Sequence, residues 1–153
     1  MRTIIRTVVV AALVAALAAV TTTAGAAGAR KDHGTAWLGI NHAAGGLQIA
    51  SGDIDSALFG HGAIVYRVTA LPAPNGTFKV TSKSVTLFTT RGTLSGTGSA
   101  TQTLNPDGTG TVTDGHIKLT KGTGKLRGHS FVATFSGPLQ DGVYTFTYQG
   151  TFR

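Results

Sequence analysis

The chain has no cysteine and no glutamate, and only one tryptophan, one methionine and four prolines among its 153 residues. Without cysteine it has no disulfide scaffold, no thiolate metal site, no cysteine nucleophile and no lipid-modified cysteine anchor. Without glutamate, and with only 12% charged residues, it lacks the usual material of surface helices, which argues against a helical bundle. What it has in quantity is glycine, at 22 residues, along with threonine and a formal charge of +7. Glycine supplies turns and threonine favours strands, so the composition points to an all-β chain of one domain.

The only long hydrophobic run lies at the start. Arg2 and Arg6 precede the thirteen apolar residues Val8–Val20, and TTTAGAAGA follows with two A-x-A sites, Ala24–Ala26 and Ala27–Ala29. This is the three-part pattern of a secretory signal peptide, assigned to residues 1–29. A run of thirteen is short for a membrane span, which needs about 20 residues. The mature chain is expected to begin near Ala27 or Arg30, outside the cytoplasm and with no membrane attachment. From Arg30 to Arg153 it holds eleven Lys/Arg against six Asp, a net +5.

Residues 30–45 (RKDHGTAWLGINHAAG) read as a flexible N-terminal arm anchored by Trp37, and residues 46–153 as one domain with a period of two. In Val143–Phe152, Tyr144, Phe146 and Tyr148 alternate with Thr145, Thr147 and Gln149. That alternation makes a half-buried strand, because successive side chains point to opposite faces. Phe131, Ala133 and Phe135 share a face in the same way, as do Ile64, Tyr66, Val68 and Ala70. Between Phe78/Val80 and Val85/Leu87 the phase switches across Thr81–Ser84, the signature of a β-bulge. Seven strands result: Gly46–Asp53, Gly62–Leu71, Thr77–Thr89, Thr93–Leu104, Thr109–Thr120, Ser130–Pro138 and Val143–Phe152. Trp37–Asn41 supplies an eighth if the arm contributes. Asn75-Gly76, Asp141-Gly142 and Asn105-Pro106-Asp107-Gly108 separate strands as turns, and Asp114-Gly115 is either a turn or a bulge. Consecutive hairpins make an antiparallel up-and-down meander, which an eight-stranded β-barrel closes without exposed edges. A β-sandwich is the alternative.

Chemical motifs are sparse. Gly122-Thr123-Gly124-Lys125 lacks the spacing of a phosphate loop, with Leu119 where a glycine is required and Leu126 where a hydroxyl is. Five histidines and six aspartates show no metal-ligand spacing, so neither metal nor cofactor is expected. Asp53, Asp55 and His61 cluster in SGDIDSALFGHG and could share acid–base work. Asp114, His116 and Lys118 share a solvent face of one strand. The cations of Lys118–Arg127 could attract a polyanion, but no aromatic residue stands between them for base stacking, so nucleic acid is not expected.

The segment GTGKLRGHSFVATFSG followed by GVYTFTYQGTFR resembles the closing strands of allene oxide cyclase-like and dirigent-like barrels, and of small secreted bacterial proteins of that type. The resemblance implies an eight-stranded antiparallel barrel and, in some members, a cavity for a reactive apolar intermediate beside a carboxylate, often glutamate. No aspartate of this chain matches such a position.

The leading expectation is a secreted, non-catalytic barrel, monomeric or weakly dimeric, binding one small lipophilic or aromatic molecule in its interior. Tyr66, Tyr144 and Tyr148 would point inward with His129 at one rim, close enough to share the ligand. A cyclase-like or dirigent-like enzyme and an envelope or polyanion-binding protein are the alternatives. An interior ligand needs more than about 100 Å³, since ordinary pockets start at roughly 300 Å³. A barrel packed full would leave less.

Overall fold

The computed structural model describes residues 28–153. Most of the segment assigned as signal peptide, residues 1–27, lies outside them. Eight strands follow in order: β1 (Arg30–Ala44), β2 (Leu47–Ser56), β3 (Gly60–Ala73), β4 (Thr77–Thr89), β5 (Gly92–Leu104), β6 (Gly110–Gly122), β7 (Phe131–Gln140) and β8 (Val143–Phe152). Each pairs antiparallel with its sequence neighbour, and β1 pairs with β8, so the sheet closes as an up-and-down barrel. The sandwich alternative is excluded.

Residues 30–45 are not an arm. They contribute a fifteen-residue strand, bonded to β2 along one edge and to β8 along the other. Its inward positions are Asp32, Gly34, Ala36, Leu38 and Ile40, and the first three are too small or too polar to announce a core face. Asp32, Ala36 and Leu38 are buried. Trp37 points outward and is 40% exposed, so it anchors nothing.

The other strands follow the sequence pattern more closely. Tyr144, Phe146 and Tyr148 on β8 are buried, whereas Thr147 and Gln149 are exposed. The phase switch in β4 is a bulge, with the β4–β5 register shifting between Ser82 and Val85. There the Ser82 hydroxyl lies 2.7 Å from the Arg67 carbonyl and 3.0 Å from that of Ser84. Asp114-Gly115 is a second bulge, within β6: the register shifts between Val112 and Gly115, and Asp114 takes φ 50°. Asp141 and Gly142, at φ 50° and 75°, make the two-residue turn whose twist matches the flanking strands.

Strand direction divides the barrel into two ends. The hairpin end carries the short β1–β2, β3–β4, β5–β6 and β7–β8 turns. The entry end carries the start of β1, the end of β8 and the β2–β3, β4–β5 and β6–β7 connections. Phe59, in the β2–β3 connection, folds back into the entry end and meets Phe131 and Phe152 edge-on, with ring centroids 5.9 and 5.2 Å away. Such pairs add roughly 0.5–1.5 kcal/mol beyond the area they bury. This plug closes the entry end.

Candidate functional site

All three tyrosines line the interior, each in a different polar setting. The Tyr144 hydroxyl lies 2.8 Å from the Gln102 amide nitrogen and 3.1 Å from that of Gln48. Tyr148 donates to the Asp32 carboxyl at 3.1 Å. The half-buried Tyr66 packs at 6.4 Å from the Tyr144 ring, and its hydroxyl meets no hydrogen-bonding side chain among the described residues. Burial pushes the hydroxyl pKa of Tyr66 up, and its neighbour Tyr144 adds to the rise. Burial likewise raises Tyr148, with the Asp32 carboxyl working in the same direction. For Tyr144, burial outweighs the Gln48 and Gln102 amides, which pull the other way.

His129 does not join them. It precedes β7 at the entry end, bonded through Nδ1 to the Arg153 carbonyl at 3.1 Å and stacked on Phe152 at 4.8 Å. The backbone-bonded edge position, rather than a shared ligand site, is what forms.

Asp32 is the interior group that the sequence concealed. It is 2% exposed and accepts from the Ser56 hydroxyl and the Leu58 amide at 2.9 Å, besides Tyr148. Ser56 in turn accepts from the Phe59 amide at 2.9 Å. The carboxyl thus ties β1, the β2–β3 connection and β8 together beneath the phenylalanine plug. It is fully engaged and does not line the interior cavity. Only the alternation of Asp32 with Ala36 and Leu38 could have signalled it.

The Asp53, Asp55 and His61 cluster does assemble, on the outside of the β2–β3 hairpin. His61 Nδ1 lies 2.8 Å from Asp55 and Nε2 lies 3.9 Å from Asp53. The Asp55 hydrogen bond, followed by its charge, raises the imidazole pKa above 6.5. All three side chains are more than half exposed. With no enclosing pocket, the group is a surface ion pair.

The interior cavity measures about 90 Å³. That is below the bound set for a ligand site and under a third of an ordinary pocket of roughly 300 Å³. A lipophilic ligand of ordinary size does not fit the interior as it stands.

The outer surface is unevenly charged. Arg30, Lys31, Arg91, Lys118, Lys121, Lys125, Arg127 and Arg153 all lie exposed toward the entry end. Backbone bonds hold them in one arc. The Lys125 amide bonds Arg91 at 2.8 Å, Ser130 and Arg153 bond each other, and Arg30 pairs with Phe152. Among the described residues the ion pairs are those of His61 with Asp53 and Asp55, so no carboxylate holds any of these eight cations. Asp107 and Asp141 lie in turns of the hairpin end. Asp53 and Asp55 lie toward the entry end as well, on the outer face of β2, but eight cations against these two exposed carboxylates leave that end net positive.

Fold and surface together define a closed up-and-down barrel with a nearly filled interior and a polarised exterior. Comparison with protein-family models, curated proteins and solved structures finds no match for this chain. The resemblance to allene oxide cyclase-like and dirigent-like barrels rests on the residues quoted for it, and the eight-stranded closed barrel that it implies is present.

Proposed function

We propose that this chain is an exported, non-catalytic barrel that acts through its outer surface by holding a polyanion. The observation that carries this reading is the arc of eight exposed cations at the entry end, none paired with a carboxylate. An arc of like charge raises the local concentration of counter-ions and draws in an acidic polymer. Export rests on the Val8–Val20 run and its A-x-A sites. Titration with dextran sulfate at about 50 mM salt tests the reading: binding is expected there and falls steeply by about 200 mM, as counter-ion release requires. Absence of binding at the lower salt would refute it.

A second reading keeps the interior as a site for one compact apolar or aromatic molecule. The Tyr66 hydroxyl, without a side-chain partner beside an apolar cavity of about 90 Å³, favours it. The volume is below the roughly 150 Å³ of an engineered cavity that takes benzene, so the solute is smaller than a benzene ring unless Tyr66 swings aside. Xenon under pressure should shift the Ile64 and Val68 methyl resonances. Unmoved methyls would leave the interior as core alone.

A further inference from the structure

Four strands at the basic end carry more than charge. Across the outer faces of β6, β7, β8 and β1, the register lines up Lys118, Val132, Thr151 and Lys31 in one row. The next row is His116, Thr134, Gln149 and His33, and beyond it lie Ser136, Thr147 and Thr35. The last two rows wall an open groove of about 670 Å³, and the Lys118–Lys31 row is the next one out, beside it rather than in its wall. Neighbouring strands lie 4.7–4.9 Å apart, so the groove crosses about 14 Å of sheet.

The dip has a structural partner on the inner side. Gly34 and Gly115 carry no side chain there, and the Tyr148 and Phe135 rings occupy the space: a Cβ on either glycine would come within 2.9 Å of a ring atom.

The chemistry of the wall narrows the occupant. Thr134, Ser136, Thr147 and Gln149 offer hydroxyls and an amide that make no side-chain hydrogen bonds among the described residues. Threonines elsewhere on the barrel behave differently: Thr93 and Thr123 bond each other at 2.8 Å, and Thr109 bonds Asn105 at 2.9 Å. Lys31 and Lys118 supply positive charge along one edge, with the Lys31 ammonium donating to Thr151 at 3.2 Å. Asp114, the one carboxylate in the wall, lies at the opposite edge and repels an acid group placed there. The rings of Tyr148 and Phe135 turn inward, which leaves the imidazoles of His33 and His116 as the aromatic faces in the wall, fewer than the tyrosine, tryptophan or phenylalanine platforms on which successive bases stack.

We infer that this groove binds an anionic glycan, its sugar hydroxyls meeting Thr134, Ser136, Thr147 and Gln149 and its acid groups meeting Lys31 and Lys118. The inference rests on the polyanion reading and names the polymer and the place. Neutral hydroxyl contacts set the choice of backbone, and the cation arc sets affinity and salt dependence.

The test compares polygalacturonate, polyphosphate and neutral dextran by calorimetric titration, on the mature barrel and on a Thr134→Ala/Gln149→Ala variant. Both substitutions are on the outer face, and circular dichroism checks that the variant folds. Polygalacturonate is expected to bind about tenfold more tightly per charge than polyphosphate, with dextran weakest. The variant should lose that margin while holding polyphosphate unchanged, since it removes the neutral hydrogen bonds and leaves the cations in place. Equal binding of the two polyanions, unaltered in the variant, would overturn the glycan groove and leave the charge reading standing. Failure of both polyanions to bind would remove the charge reading itself. Tighter binding to single-stranded DNA or to anionic lipid vesicles than to polygalacturonate would overturn the assigned class.

Discussion

At the scale of single residues, the interior is a set of polar groups that each require a partner. Asp32 receives a hydroxyl from Ser56, an amide from Leu58 and a hydroxyl from Tyr148. Asp32→Ala takes the acceptor from two buried hydroxyls, those of Ser56 and Tyr148, each costing about 1–3 kcal/mol when unpaired, while the Leu58 amide keeps the Ser56 hydroxyl oxygen at 3.2 Å. Urea denaturation should show a loss of about 2–4 kcal/mol, and Asp32→Asn, which keeps one acceptor, should lose less. Equal losses would show that the carboxyl is not the tie. The tyrosines make a second prediction. Burial raises the pKa of Tyr66, Tyr144 and Tyr148 above the ordinary 10.0. A raised folded pKa contributes stability that is complete below 10.0 and is lost as pH climbs toward the folded values. Tyrosinate absorbance should therefore appear only together with unfolding, well above pH 10. A simple titration near 10 with the fold intact would contradict their burial.

At the scale of elements, strand parity governs what each substitution does. Phe146→Ala, on the inner face of β8, should cost about 3–5 kcal/mol through lost burial and an unfilled cavity. Thr147→Ala, the adjacent outward residue, should cost under about 0.5 kcal/mol. Chemical melts of the two variants check the parity directly, and similar losses would invert it. Strands β3, β7 and β8 are legible in the sequence because large aromatic and branched residues recur every second position, whereas β2 and β5, rich in glycine, serine and alanine, are legible through the turn residues that bound them. β1 is not legible, since its inward row opens on Asp32, Gly34 and Ala36 and reaches large apolar residues only at Leu38 and Ile40. Long-range pairing with β2 and β8, rather than local pattern, makes it a strand. The bulges divide in the same manner. The phase switch around Ser82 could be read from hydrophobic residues on both sides, whereas Asp114-Gly115 looked equally like a turn until the β6–β7 register resolved it.

At the scale of the whole molecule, closure turns a scattered sequence feature into a surface. Arg30 and Lys31 start the first strand, Arg91 sits in a mid-chain turn, Lys118–Arg127 follow later, and Arg153 ends the last strand. Only the Lys118–Arg127 cluster stands out along the chain; up-and-down topology brings the others beside it. The same closure leaves Arg67, Lys79 and Lys83 on β3 and β4, away from the arc, and so provides an internal control. The central claim is that affinity for a polyanion resides in the arc. Its most direct test is the salt dependence of dextran sulfate binding for two triple variants: Lys121→Gln/Lys125→Gln/Arg127→Gln in the arc and Arg67→Gln/Lys79→Gln/Lys83→Gln outside it. Each engaged cation contributes to the slope of log affinity against log salt. The account predicts a shallower slope and weaker binding for the arc variant, with the other close to the parent chain. Equal slopes for the two variants would contradict it.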